Sequence, residues 1–427
     1  MNIAVQKTPA EAAYLGAGVL IAEDPARREA FDRFIAMGLP HRRMEDWRWT
    51  DLRQLIRDPY PPVLAAQTAA LSPEQVSKTP FLSDIRARLV LVDGTFVPEL
   101  STLPMSGEVE VAGLGGNPPP WLAMHALTAA PADDPILAMN TAFMAGGVAL
   151  RISGSIEAPI EIVSIVTEGE PRTVAGRIVF ILEEGASATL VETHLGNPGP
   201  YVNSSVTEAL LGPNSRLDRV KLQRDGRRAI HLSNFQARLG ERAILRDCTV
   251  TSGAGVTRQQ GFISFEGEHA DAKIAGAYLL RDRQHCDTRL LVKHRVAHCT
   301  SREVFKCVLD EEARGIFQGK VVVERGAQKT DGKQSSHALL LSPTAEFDAK
   351  PELEIYADDV ACGHGATAGD LEEDHLFYLR SRGIPLPEAR SLLVSAFAAE
   401  AFEDIAHDQI RERLSALTEA WLREGAR

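Results

Sequence analysis

The chain has 427 residues, 44% of them hydrophobic and 24% charged, which is enough for one large domain or two to three ordinary ones. Its formal net charge of −12 argues against nonspecific binding to nucleic acid or to an anionic membrane, because both need a basic surface. Five scattered cysteines without C-x-x-C spacing, and the lack of an apolar run that fits a signal peptide or a membrane span, favour a cytoplasmic protein.

The first part of the chain, residues 1–135, is predicted to be a helical and irregular region. Asp24, which is followed by proline, is typical of a helix start, and Gly38 is typical of a helix end. The segment RLVLVDGTFV is the one convincing strand, and its Asp93-Gly94 pair predicts a hairpin turn.

The central part, residues 136–365, contains a repeat. Four phrases, GASATL, GPNSRL, GERAIL and GEHADA, begin 27, 28 and 27 residues apart at Gly185, Gly212, Gly240 and Gly267. In each phrase the third residue after the glycine is small and the fifth is Leu or Ala, as inward positions of a stacked β-solenoid require. An antiparallel sandwich would not explain a near-constant repeat length. The predicted fold class is therefore mainly β, with a parallel β-helix core.

The last part, residues 366–427, is predicted to be a helical domain. Apolar residues recur at helical spacing in three stretches, around 371–379, 392–397 and 410–421. Helices in this position would cap the open end of a solenoid or present a surface to a partner.

The chain contains no motif of nucleotide binding. RGIFQGKV resembles a phosphate-binding loop only superficially, because its glycine spacing is too short and Val321 stands where Ser or Thr is needed. No G-x-G-x-x-G precedes a predicted helix, and no Ser/His/Asp arrangement of a hydrolase is evident. We therefore expect that this chain does not bind ATP.

Cys362 and His364 are the densest pair of soft or borderline metal ligands in the chain. Residues two apart on a strand point to the same side, so the thiol and the imidazole could face one site suited to iron, zinc or copper. Asp358 and Asp359 lie just before them and could hydrogen-bond the imidazole as outer-shell carboxylates do. Two ligands do not close a metal site, so the spacing alone leaves a structural role open.

A second imidazole-rich stretch contains His285, His294 and His298, with cysteines beside the first and the last. His294 and His298 are four residues apart and are predicted to share one face of a strand. Histidines of the core or its rim explain this stretch better than a metal site does.

Three segments resemble the SufB/SufD scaffold family of iron–sulfur cluster assembly. The longest is KPELEIYADDVACGHGATAGDLEEDHLFYLRSRGI, residues 350–384, and a second similar stretch covers residues 298–334. The N-terminal segment LPHRRMEDWRWTDLR is similar to the one that opens the D branch. The middle of the chain matches the family in pattern more than in wording.

The resemblance is to the D branch rather than to the B branch. B-type members typically carry a cysteine directly after the glutamine that matches Gln334 and a glutamate directly after the histidine that matches His364. Here those two positions are Ser335 and Gly365.

The resemblance implies a right-handed parallel β-helix that pairs with a SufB-type subunit through the helix ends and binds a SufC-type ATPase with its C-terminal helices. It also implies that His364 is a candidate ligand of a transient iron–sulfur cluster shared with the partner subunit, with Cys362 beside it. Such a chain is a scaffold rather than an enzyme. No motif of the sequence supports a flavin, and a homodimer of the isolated chain stays open.

A second hypothesis is a carbohydrate-active parallel β-helix enzyme, which would use carboxylates on one face of the coils. The low aromatic content of 6% and the cysteines argue against it. A third hypothesis, a purely structural homodimeric solenoid, would leave Cys362 and His364 without a role.

Overall fold

The computed structural model describes residues 7–21, 24–64, 71, 81–104, 107–115, 119–123 and 130–425. Within these ranges the chain forms eight α-helices: α1 Pro9–Ala17, α2 Pro25–Met37, α3 Leu52–Leu55, α4 Pro120–Ala123, α5 Pro135–Phe143, α6 Glu373–Ser381, α7 Leu386–Ala399 and α8 Asp408–Gly425. None of the helices in the described ranges is long and apolar enough to cross a membrane.

The described strands form the body of the molecule. They are β1 Ala87–Val92, β2 Thr95–Phe96, β3 Val109–Gly113, β4 Gly146–Ile152, β5 Ile160–Val166, β6 Thr173–Leu182, β7 Ser187–Gly196, β8 Val202–Leu211, β9 Arg216–Arg224, β10 Ile230–Leu239, β11 Ile244–Thr251, β12 Val256–Phe265, β13 Asp271–Leu280, β14 His285–His294, β15 Thr300–Leu309, β16 Arg314–Val323, β17 Asp331–Leu340, β18 Glu346–Ile355 and β19 Ala361–Gly369.

Successive strands alternate between two sheets, which makes the fold a parallel β-solenoid. The ten-stranded sheet has the order β19-β17-β15-β13-β11-β9-β7-β5-β1-β2, and the nine-stranded sheet has the order β18-β16-β14-β12-β10-β8-β6-β4-β3. From β4 onwards, each strand pairs in parallel with the strand two places further along the chain. The predicted mainly β fold with a parallel solenoid core is confirmed.

The predicted repeat is correct for three of its four copies. Leu217, Leu245 and Ala272 stack in consecutive coils as expected. In the preceding coil Ala188 occupies the matching position, whereas the sequence pattern assigned Leu190 to it. The first copy was therefore shifted by two residues, a shift that leaves the same side chains facing inward because the side-chain period of a strand is two.

The interior is apolar near the corners and contains a buried charged layer in its middle coils. Arg219 donates to Glu192 and to Asp247 at 2.7 Å each, and Lys221 Nζ lies 3.0 Å from His231 Nε2. A cavity of about 40 Å³ lies beside Arg219 and Lys221. Because these buried charges have partners, they are tolerated within the core.

Helices from the two ends of the chain cover the outer faces of the two sheets. The rings of Tyr14 and Phe34, on α1 and α2, pack 5.6 Å apart in a cluster that includes Val202 of the nine-stranded sheet. Trp421 of α8 packs in another cluster with Val220 of the ten-stranded sheet. The division at residues 135 and 365 stays a prediction, and strands β1 to β3 from the first part join the two sheets.

Candidate functional site

Strand β19 is the last strand of the ten-stranded sheet, and Cys362 and His364 lie on it. Within the described part of the chain, β19 has a neighbouring strand on one side only. Cys362 pairs with Gly332 and His364 with Gln334 of β17. Because their Cα atoms are two residues apart on an extended strand, they are separated by about 6.6 Å and their side chains point to the same side.

Cys362 is partly buried and packs against the hydrophobic core of the solenoid. Its Sγ lies 3.5 Å from the position that a Cβ on Gly332 would take, so the missing side chain of this glycine makes room for the thiol. Burial raises the pKa of Cys362, which keeps the group a neutral thiol at pH 7. The other four cysteines are buried, so Cys362 is the most accessible thiol of the chain.

His364 is exposed, and neither of its ring nitrogens has a hydrogen-bond partner among the described residues. Asp359 lies in the corner before β19, where its carboxylate pairs with Lys329 and its N–H donates to Gln328 Oε1 at 3.0 Å. Asp358 is exposed in the same corner. Within the described ranges neither carboxylate bonds to His364, and their predicted role near the imidazole stays a prediction.

A column of polar side chains lies below His364, towards the interior. Gln334 pairs with His364 and Glu303 pairs with Gln334, so the three residues stack in successive coils of the ten-stranded sheet. Glu303 is fully buried, and this burial raises its pKa to about 8. Sequence analysis used Gln334 only to distinguish two branches and did not single out Glu303, because no local pattern marks residues 30 and 31 positions apart.

A second column lies below Cys362. Gly332 is followed one coil further in by Ser301, whose Oγ lies 3.1 Å from His294 Nε2. The His294 ring is buried and stacks on Phe265 with the ring centres 4.3 Å apart. Burial lowers the pKa of His294 to about 4, so the ring is neutral at pH 7.

The three histidines of the second imidazole-rich stretch are not brought together. His285 lies 2.9 Å from Thr50 Oγ1, and the exposed ring of His298 stacks on His269 at 4.8 Å. His294 ends β14, whereas His298 lies in the corner that follows. The prediction that His294 and His298 share one face of a strand was therefore wrong, because the chain turns between them.

The described residues contain no group of three or more His, Cys, Asp or Glu side chains arranged to hold a metal ion. Cys362 and His364 nevertheless provide a thiol and an imidazole at the open end of the solenoid, and both are ligands that iron accepts. An iron species bound there would need further ligands from a second molecule.

Two protein-family models match the chain. The model described as SUF system FeS cluster assembly, SufBD core domain, matches residues 165–397, and the model described as SufBD protein N-terminal region matches residues 18–162. The first match covers both strands of the candidate site and extends into α7.

Individual relatives agree with these matches. An iron–sulfur cluster assembly SufBD family protein of Synechocystis sp. is 31% identical over 404 residues, which cover 91% of this chain and 88% of the relative. The iron–sulfur cluster assembly protein SufD of Escherichia coli is 29% identical over 414 residues and 94% of each chain. A SufBD family protein of Mycobacterium tuberculosis is 34% identical over 60% of this chain and 66% of the relative.

Proposed function

Since the chain belongs to the SufBD family of iron–sulfur cluster assembly proteins, we propose that it is a non-ATPase scaffold subunit that pairs with a SufB-type subunit and docks a SufC-type ATPase. The similarity to SufD of E. coli over 94% of both chains supports the D branch. Ser335 and Gly365, at the two positions where B-type members typically carry cysteine and glutamate, agree with it.

One observation supports this proposal most strongly: a thiol and an imidazole share one side of the last strand of an open solenoid end. Cys362 and His364 supply two ligands, and a partner subunit facing β19 would supply the others. In this arrangement an iron–sulfur cluster is a cargo that is built between two chains and then released. Neither subunit alone would hold it tightly, which suits a scaffold.

The end of the solenoid offers a pairing surface to a SufB-type subunit. The outer edge of β19 carries backbone N–H and C=O groups without a neighbouring strand in the described part of the chain, and such edges pair readily with a strand of another chain. Ile355 and Tyr356, at the end of β18, are exposed apolar side chains beside this edge. Pairing there would cover both and would place the partner's residues next to His364.

The C-terminal helices offer a docking surface to a SufC-type ATPase. Phe377 and Tyr378 of α6 are 75% and 55% exposed, and Leu386 and Leu392 of α7 are also exposed. Aromatic side chains at this exposure are typical of protein interfaces, where they bury a large area on binding. The buried faces of α7 and α8 pack on the solenoid, so these exposed residues are available to a partner.

A scaffold role explains the chain better than the carbohydrate-active enzyme does. Family membership supports a role in cluster assembly, and the charged side chains of the middle coils are paired with one another inside the solenoid rather than displayed on a surface groove. The five free cysteines agree with a reducing compartment such as the cytoplasm.

Co-purification with a SufB-type and a SufC-type protein tests the proposal. We expect a stable complex with the wild-type chain and at least a tenfold weaker ATPase affinity for the double variant Phe377→Ala/Tyr378→Ala, with pairing to the SufB-type subunit unchanged. Val19→Ala/Leu20→Ala is the matched control, because it removes exposed apolar side chains at the other end of the chain.

Two results would contradict the proposal. A wild-type chain that binds neither partner would refute the scaffold assignment. Equal ATPase affinities of the wild type and the α6 double variant would refute the assigned docking surface.

A further inference from the structure

Two buried polar side chains below His364 lack hydrogen bonds. Both carboxyl oxygens of Glu303 and both amide atoms of Gln334 are buried without a partner of ordinary geometry among the described residues. Buried polar groups in native proteins are nearly always hydrogen-bonded, and an exception calls for an explanation. These two residues stack directly beneath an exposed imidazole that also lacks a partner.

The opposite sheet leaves space for the Gln334 amide. Gly319 of β16 faces it across the interior, and a Cβ at Gly319 would overlap with the amide group. Gln334 therefore extends across the end of the solenoid instead of folding back on its own strand. Its amide lies between Glu303 on the inner side and His364 on the outer side, with neighbouring strands about 4.8 Å apart.

We propose that Gln334 is a positioning residue for His364: its amide oxygen accepts the N–H of the imidazole, while its amide N–H donates to the carboxyl group of Glu303. The proposal rests on the proposed function, in which His364 binds the iron of the cargo. It adds a role for two residues that do not touch the cargo.

The chemistry of a histidine ligand explains why such a residue is useful. A neutral imidazole binds a metal through one nitrogen and carries a proton on the other, and a hydrogen bond to the protonated nitrogen fixes both the tautomer and the ring orientation. Gln334 can accept this proton's hydrogen bond with its oxygen and still donate from its nitrogen. Glu303, as the inner neighbour, then holds the amide in the required orientation.

The first test measures the tautomer of His364 directly. In the metal-free full-length chain with ¹⁵N-labelled histidine, the imidazole nitrogen shifts at pH 8 report which nitrogen carries the proton. We expect one dominant tautomer in the wild type and a mixture, close to that of the exposed His375, in Gln334→Leu. Gly319→Ala, which displaces the amide without altering Gln334, is expected to change the shifts in the same direction.

Ser336→Ala is the matched control, because Ser336 is the next inward residue of β17 and pairs with Ala366 rather than with a candidate ligand. It is expected to leave the His364 shifts unchanged. Identical His364 shifts in the wild type, Gln334→Leu and Gly319→Ala would overturn the inference.

The second test separates this inference from the proposed function. In the complex with a SufB-type partner, Co²⁺ titration is expected to show a 10–100-fold lower affinity for Gln334→Leu, the usual effect of removing an outer-shell partner, and an equal or larger loss for His364→Ala. A loss in His364→Ala alone would overturn the positioning role and keep His364 as a ligand. No loss in His364→Ala would overturn the ligand role itself.

Discussion

Glu303 and His294 show how burial at the open end of the solenoid sets protonation states. Glu303 has its pKa raised to about 8 and is a neutral acid at pH 7, whereas His294 has its pKa lowered to about 4 and is a neutral imidazole. Burial disfavours the charged form in both cases. The polar residues below Cys362 and His364 therefore add no net charge there at neutral pH.

The raised pKa of Glu303 predicts a pH-dependent stability. Between pH 4.5 and 8 the folded chain keeps a proton that the unfolded chain loses, so the wild type loses stability as the pH rises through this window. Glu303→Gln removes this effect. We expect its advantage in free energy of unfolding to grow by up to about 3 kcal/mol between pH 5.5 and 7.5, at about 1.4 kcal/mol per unit.

Thermal unfolding at the two pH values measures this difference. The gap in Tm between Glu303→Gln and the wild type should widen at pH 7.5, whereas exposed Glu184→Gln should show the same gap at both. A gap for Glu303→Gln that stays constant or narrows would show that the carboxyl group is ionised in the folded chain.

At the residue scale, the sequence predicts the pairing of side chains that are close along the chain and misses those that are distant. Cys362 and His364 face the same side because they are two residues apart on a strand, and this was evident from their spacing. The stacking of Glu303, Gln334 and His364 depends on coil lengths of 31 and 30 residues. Those lengths differ from the 27 and 28 of the sequence repeat, so the column could not be derived.

At the scale of elements, the structure explains why the first repeat copy was misaligned. Gly185 adopts a left-handed conformation with φ 71°, and its true counterpart in the next coil is Asn214, with φ 57°. Gly212 serves another purpose, because a Cβ there would lie 2.9 Å from the carbonyl oxygen of Leu182. Two glycines with different physical reasons were aligned as one feature.

Helices and turns with local signals were predicted correctly. Asp24 caps α2 by accepting hydrogen bonds from the N–H groups of Ala26 and Arg27, and Gly38 follows the last turn. The three predicted C-terminal stretches correspond to α6, α7 and α8. Their capping residues and apolar spacing lie within the element itself, so no distant contact was needed to recognise them.

The predicted hairpin between β1 and β2 is confirmed and provides a test of backbone strain. Asp93 and Gly94 both have positive φ, at 45° and 80°, and a Cβ at Gly94 would lie 2.5 Å from the carbonyl oxygen of Ala175. Gly94→Ala is expected to lower the free energy of unfolding by about 2–4 kcal/mol through strain and steric overlap.

Chemical denaturation of the two variants measures this effect. Gly107→Ala is the control, because a Cβ at that glycine meets nothing within 4 Å and should leave stability nearly unchanged. If Gly94→Ala were as stable as Gly107→Ala, the close approach of the hairpin to the next sheet would be refuted.

At the scale of the whole molecule, the solenoid is covered on its faces and open at one end. The N-terminal helices pack on the nine-stranded sheet and the C-terminal helices on the ten-stranded sheet. This coverage follows from contacts between distant parts of the chain, so the sequence could predict the helices but not the sheet that each group covers. The last strand, with Cys362 and His364, stays accessible to a second subunit.

The central claim is that His364 binds the cargo cluster together with a partner subunit, and pulsed EPR tests it most directly. The complex is assembled with ¹⁵N-histidine in this chain only, a cluster is built anaerobically and reduced, and the ¹⁵N coupling to the paramagnetic cluster is recorded. We predict a coupling in the wild type and in the exposed control His375→Ala, and none in His364→Ala. A fully loaded wild-type complex without any ¹⁵N coupling would contradict the account.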